Sequence, residues 1–188
     1  YRGSPITLIY RDDATMPEIG EQVALELIDT EGVDMIIGAL SSPVTLRIAP
    51  ICDEKGVVLL SPASSAPEIS DAGDYIFRNY PSDILEGTSM ARFAKDEGFE
   101  RVVVFTLDNA FGAGLSEVFT KEYESKFRSV VKQFTIPETQ GDGFDEMVAE
   151  AKELDPDGVY IITYDQGLHG LLRAIDAADW NVVTMGTS

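Results

Sequence analysis

Short apolar runs alternate with longer amphipathic stretches along the whole chain. ITLIY (6–10), DMIIG (34–38), VVLLS (57–61), YIFRN (75–79), RVVVFT (101–106), VVKQFT (130–135), GVYIIT (158–163) and NVVTMG (181–186) each predict a strand. Several are apolar at consecutive rather than alternate positions, the pattern of parallel strands covered by helices on both faces. The intervening stretches carry helical spacing and often stop at glycine, as in CDEKG, AKDEG and LDPDG. In TMPEIGEQVALELIDTEG, Ile19, Val23 and Leu27 fall on one stripe, with Thr15 as the expected N-cap and Pro17 in the first turn. Pro50 predicts a kink in a helix near 44–54.

Strand–helix alternation of this kind gives an α/β fold with doubly wound, mostly parallel sheets. A second series starts after RNYPSD (78–83), where Tyr80-Pro81 reads as extended and Ser82 or Asp83 as the next cap. The expected organisation is two lobes. Residues 1–78 form part of an N-terminal lobe, 79–81 a hinge crossover, and 82–188 most of a C-terminal lobe. The chain begins at Tyr1, almost inside a strand, so both ends read as cuts through a longer protein.

Composition narrows the function classes. At 188 residues and 44% hydrophobic, the chain can bury the core of one domain or two small lobes. A net charge of −19, with 14 scattered Lys and Arg, argues against nucleic acid as a partner. The acidity fits a solvated surface or a salt-rich habitat. Cys52 stands alone, so no disulfide framework is expected and the thiol reads as a small buried hydrophobe. One histidine, His169, and one cysteine make a zinc site of the usual ligand types unexpected, and no other metal or cofactor is indicated. No run approaches the roughly 18 apolar residues of a membrane helix.

Catalytic patterns are missing too. His169 and Asp165 share one helical face and no G-x-S-x-G elbow occurs, so His169 reads as a surface or packing residue, as do Trp180 and Tyr123 for packing. FGAG (111–114) would need glycine at 117 for a dinucleotide fingerprint, and that position is Glu117. Asp12-Asp13 suits the acidic pair of a phospho-receiver, but Ser61 occupies the accepting position and the late lysine is missing. No catalytic residue is expected.

Ligands of open parallel sheets bind beyond the carboxyl ends of the strands. Here those ends read RDD (11–13), ALSSP (39–43), SPASSAPE (61–68), TLDNAFGAG (106–114), TYDQG (163–167) and GTS (186–188). Ser41, Ser42 and Pro43 precede a helix, whose free amides favour an anion by about 0.3–1 kcal/mol when exposed and up to about 2 when partly buried. Serine in that place also serves as an ordinary helix cap. SPASSAPE adds a second hydroxyl cluster after the next strand, with side chains small enough for backbone to approach a polar guest.

IIGALSSPVT, GVVLLSPASSAPEIS, DNAFGAG and DPDGVYIITYDQG, in that order and spacing, resemble type I periplasmic binding proteins. The resemblance is to the leucine/isoleucine/valine-binding branch serving branched-chain amino acid ABC transporters, of which this chain would be a central fragment. It implies a ligand site of Ser41, Ser42, Ala63, Ser64 and Ser65 in the first lobe, with Phe111 and Tyr164 in the second. Ser42 and Ser65 would hold an α-carboxylate through hydroxyl and backbone N–H groups, and the Ala63 carbonyl and Ser65 hydroxyl would accept from an α-ammonium. Phe111 stands where the family often has tyrosine. Where many members read MGPE, this chain reads MGTS (185–188), and Ser188 cannot neutralise an ammonium. That departure opens the ligand to other amino acids, amides or carboxylates, with Asp108 or Asp165 to compensate unless they merely cap helices.

The implied function is an extracytoplasmic solute-binding protein. It would capture an amino acid or related small polar or carboxylate ligand between two lobes by hinge closure, then dock on an ABC permease. The implied location is periplasmic or extracellular, secreted or lipid-anchored in the full-length form. The alternative is the ligand-sensing extracellular domain of a receptor kinase, cyclase or channel with the same fold.

Overall fold

The computed structural model describes residues 5–187, so the departure at Ser188 lies outside the described residues. Backbone proximity divides the chain into two units, Tyr1–Tyr80 and Pro81–Ser188.

The first unit contains α1 (Pro17–Leu25), a π-helical turn (Glu26–Thr30), β1 (Met35–Ile37), α2 (Ser42–Lys55), β2 (Val58–Ser61), a 3-10 turn (Pro67–Asp71) and β3 (Ile76–Arg78). Its strands run parallel in the order β1-β2-β3, with Ile36 beside Leu59 and Leu59 beside Ile76. Those three side chains point to one face, where Ala24, Leu27, Ile48, Ala49 and Cys52 complete the core. On the other face Met35, Ile37 and Phe77 are exposed. Among the described residues, α1 and α2 both pack on the Ile36–Leu59–Ile76 side. The buried Cys52 thiol is pushed up to about 11 by desolvation.

Three expectations for this unit need correction. ITLIY is not a strand: among the described residues no ladder pairs with residues 6–10, Ile6 is 74% exposed, and Ile9 alone of the five packs partly on the core. Apolar alternation makes a strand only where neighbouring backbone takes its hydrogen bonds. The α1 cap is Met16 rather than Thr15, because Thr15 adopts φ 59 in a turn held by its own amide donating to the Asp13 carboxylate at 2.8 Å. The buried stripe is Gly20, Ala24 and Leu27 rather than Ile19, Val23 and Leu27. Gly20 meets Val44 of α2 where any Cβ would collide, so the small residues set the contact and rotate Ile19 and Val23 to its rim. Beyond it, α2 runs helical through Pro50 and stops at Gly56, whose φ of 68 suits a left-handed cap.

The second unit contains α3 (Asp83–Asp96), β4 (Arg101–Leu107), α4 (Ala110–Tyr123), β5 (Ser129–Ile136), α5 (Asp145–Glu153), β6 (Gly158–Ile162), α6 (Asp165–Ala177) and β7 (Val183–Gly186). All four strands are parallel, in the order β5-β4-β6-β7. Ser82 caps α3, its hydroxyl accepting from the Ile84 amide at 3.4 Å. The central strands are buried on both sides. Val103, Phe105 and Ile161 pack with Phe144, Val148 and Leu171. Val102, Val104, Tyr160 and Ile162 pack with Ala91, Leu115, Phe119 and Tyr123. This is the doubly wound arrangement that the continuous apolar runs predict. Tyr123 is fully buried and donates its hydroxyl to the Phe99 carbonyl at 2.9 Å, while Trp180 packs partly on the opposite core. His169 is exposed on α6.

Candidate functional site

The serine clusters of the first unit meet at the carboxyl ends of β1 and β2. The helix α2 starts earlier than expected: Ser41 is its N-cap and Ser42 and Pro43 already belong to its first turn. Ser42, 2% exposed, accepts two backbone N–H groups through its Oγ, from Ser65 at 3.2 Å and from Ala66 at 3.2 Å. A hydroxyl oxygen offers two lone pairs. With both filled, Ser42 retains a single capability, donating its O–H.

Behind it lies a closed hydroxyl network. Ser61 donates to the Ala39 carbonyl at 2.7 Å and accepts the Ser64 amide at 3.0 Å. Thr45 and Ser64 share a hydrogen bond at 2.7 Å, and Ser64 reaches the Leu40 carbonyl at 3.0 Å. Every hydroxyl finds an acceptor: Ser61 has the Ala39 carbonyl, Thr45 has Ser64 or the Ala39 carbonyl, and Ser64 has Thr45 or the Ala39 and Leu40 carbonyls. Thus Ser64, expected at the ligand, is a buried strut of the loop. The Ser65 amide, expected to face a ligand, is engaged by Ser42.

Several polar groups of the two clusters are left over. The Ser65 hydroxyl makes no hydrogen bond among the described residues, and neither does the Ala63 carbonyl. Ser41 is 7% exposed and its Oγ is buried without a partner. The first unit thus presents several hydroxyls able to donate and one carbonyl able to accept, beside the amide-rich start of a helix.

Arg78, at the end of β3, is a residue that the sequence reading overlooked. Its Nη1 donates to the carbonyls of Ser65 at 3.0 Å and Ala66 at 2.7 Å, and its Nη2 to the Ser70 hydroxyl at 2.6 Å. A lone arginine inside the apolar run YIFRN was the available signal. Thr45 was equally hidden, since a threonine within a helix carries no mark of its cross-strand partners.

In the second unit the candidate aromatics adjoin each other. The rings of Phe111 and Tyr164 stack with centroids 5.7 Å apart and planes at 7°, forming one continuous wall. That spacing leaves no slot for a ligand between the rings; a guest would lie against the wall. Asn109 caps α4, its Oδ1 accepting the Gly112 amide at 3.0 Å, and its side chain adjoins the Tyr164 phenol. Thr163 donates to the Tyr164 carbonyl at 2.8 Å and fixes the start of α6. Burial, aided by Glu138 and opposed by Asn109, raises the Tyr164 phenol above its ordinary value.

Neither acidic candidate caps a helix through its side chain. Asn109, not Asp108, caps α4, and Asp165 is the first residue of α6, whose N-cap Tyr164 makes no side-chain bond. Both carboxylates are exposed.

Comparison with known proteins gives the chain its family and fold. A family model described as periplasmic binding protein matches residues 1–188. The Leu/Ile/Val-binding protein of Escherichia coli K12 is 26% identical over 187 residues, covering 98% of this chain and 50% of that protein. The crystal structure of a leucine binding protein from Thermotoga maritima superposes with a TM-score of 0.91 at 28% identity, covering 98% of this chain and 53% of that one. A solute binding protein of an ABC transporter from Rhodopseudomonas palustris, in complex with benzoate, superposes with a TM-score of 0.90 at 25% identity, covering 98% and 51%. The chain therefore spans about half the length of the relatives it matches.

Proposed function

The chain belongs to the periplasmic binding protein family, and we propose that the full protein is the extracytoplasmic solute-binding component of an ABC transporter. Its ligand is a small molecule bearing a carboxylate, an amino acid or a related acid. The observation that carries this reading is the state of Ser42: both lone pairs serve the 63–66 loop, so its hydroxyl is committed to donating, next to the unengaged Ser65 hydroxyl. Hydrogen bonds to a charged group contribute roughly 1.5–3 kcal/mol each. Three or four of them reach the roughly −8 kcal/mol of micromolar binding.

The relatives support the class while differing in cargo. One is named for leucine and another holds benzoate, so the shared chemistry is the carboxylate and the apolar group varies. The Phe111–Tyr164 wall suits such a group. We assign the 79–81 stretch the role of hinge, with ligand contacts to both lobes favouring closure in proportion to their differential affinity for the closed state. The closed form then docks on the membrane permease, outside the cytoplasm. No bond is broken in this cycle. The receptor-domain alternative is not favoured, since these relatives are named as binding proteins.

A thermal-shift panel of amino acids, their amides and small carboxylates on the full-length protein tests the proposal. A carboxylate ligand is expected to raise the melting temperature in a concentration-dependent way. Amides shifting it as strongly as the matching acids, or no compound shifting it, would sink the reading.

A further inference from the structure

We infer that Arg78 is the positioning residue of the serine loop, and that its charge restricts this end of the site to ligands bearing a carboxylate; the second half rests on the solute-binding reading above. A trans peptide is planar, so its C=O and N–H point in opposite directions. The Ser65 carbonyl and the Ala66 amide belong to one such plane. Arg78 pulls the carbonyl to one side at 3.0 Å, which aims the Ala66 N–H the other way, onto Ser42 Oγ at 3.2 Å. The same fork takes the Ala66 carbonyl and the Ser70 hydroxyl, so three points of the loop are fixed by one rigid group. A relay results. Arg78 sets the peptide plane, the plane fills the second lone pair of Ser42, and Ser42 is left as a donor.

All three partners of the guanidinium are neutral, and it pairs with no carboxylate among the described residues. Arginine stays protonated at every physiological pH. A half-buried charged group with neutral partners favours an incoming anion over an uncharged amide of the same shape. Lysine would keep the charge but not the fork, because one ammonium cannot hold two carbonyls and a hydroxyl in a fixed plane.

The test uses the full-length protein as wild type, Arg78→Met and Arg78→Lys. Amide hydrogen exchange is followed at Ser65 and Ala66, and calorimetry compares benzoate with benzamide and L-leucine with L-leucinamide. In Arg78→Met both amides are expected to exchange at least about tenfold faster while those of β4 and β6 keep their rates. The acid that binds wild type loses at least about tenfold in affinity, its amide binding weakly throughout. Arg78→Lys recovers part of the acid affinity but leaves the exchange fast. Unchanged exchange in Arg78→Met overturns the positioning role. Wild type binding acid and amide equally, or full acid affinity in Arg78→Met, overturns the charge restriction. If no probe binds wild type, the solute-binding reading is what suffers, and the exchange rates alone decide the positioning role.

Discussion

The hydroxyl oxygen of Ser42 lies 3.2 Å from the backbone nitrogen of Ser65, joining the first turn of α2 to a loop 23 residues further along the chain. The two serines therefore differ in what they do for the fold. Ser42→Ala strands the buried amides of Ser65 and Ala66 and is expected to destabilise the protein by about 1–3 kcal/mol. Ser65→Ala removes a hydroxyl without a partner and leaves stability within about 0.5 kcal/mol. Under the proposed site, both substitutions are expected to weaken ligand binding. Denaturant unfolding beside calorimetry separates the effects; equal stability losses at the two positions would contradict the assignment.

Gly112 sits in the first turn of α4 where a Cβ would run into the Leu107 carbonyl and lie 2.7 Å from Thr106 Oγ1. Backbone cannot yield as a flexible side chain does. Gly112→Ala is expected to cost about 1–3 kcal/mol in stability and to shift Phe111, its neighbour. Denaturant midpoints check the first effect, and ligand affinity the second.

The wall made by Phe111 and Tyr164 has a cooperative part. Their stacking at 5.7 Å predicts a coupling of about 0.5–1.5 kcal/mol in a double-mutant cycle of Phe111→Ala with Tyr164→Ala. Urea unfolding of the four proteins measures it, and strict additivity would refute a shared wall.

Tyr123 gives a prediction at alkaline pH. Burial comes first among the causes that push its phenol from 10.0 up to about 12 in the folded protein. A group whose folded pKa is raised contributes stability that is complete below the unfolded pKa and is lost as pH climbs through the folded one. Stability should thus decline between about pH 10 and 12, where the unfolded phenol ionises first. Tyr123→Phe is expected to be less stable at neutral pH, having lost the bond to Phe99, and to show a shallower alkaline decline. An identical alkaline slope would exclude this origin.

Cys52 is fully buried on the core face of α2 and its thiol pKa rises from 9.0 to about 11. Only the thiolate reacts readily, so a disulfide reagent at pH 8 should modify the native protein slowly and the unfolded chain at once. Rapid native labelling would place the thiol elsewhere than in the core.

By itself the sequence determined the fold class, because consecutive apolar positions in RVVVFT and GVYIIT demand cover on both faces and local spacing suffices to read that demand. It also determined where the polar groups gather, since Ser41, Ser42 and SPASSAPE follow strands and face a sheet's carboxyl end. Periodicity is a local property and survives without a partner. Tertiary structure alone decided which group does what. The donor state of Ser42, the strut role of Ser64 and the brace of Arg78 each depend on atoms brought together from distant parts of the chain, across 12 to 24 residues. The fate of ITLIY was decided in the same way. A hydrogen bond needs both its ends, and a one-dimensional string carries only one of them at a time.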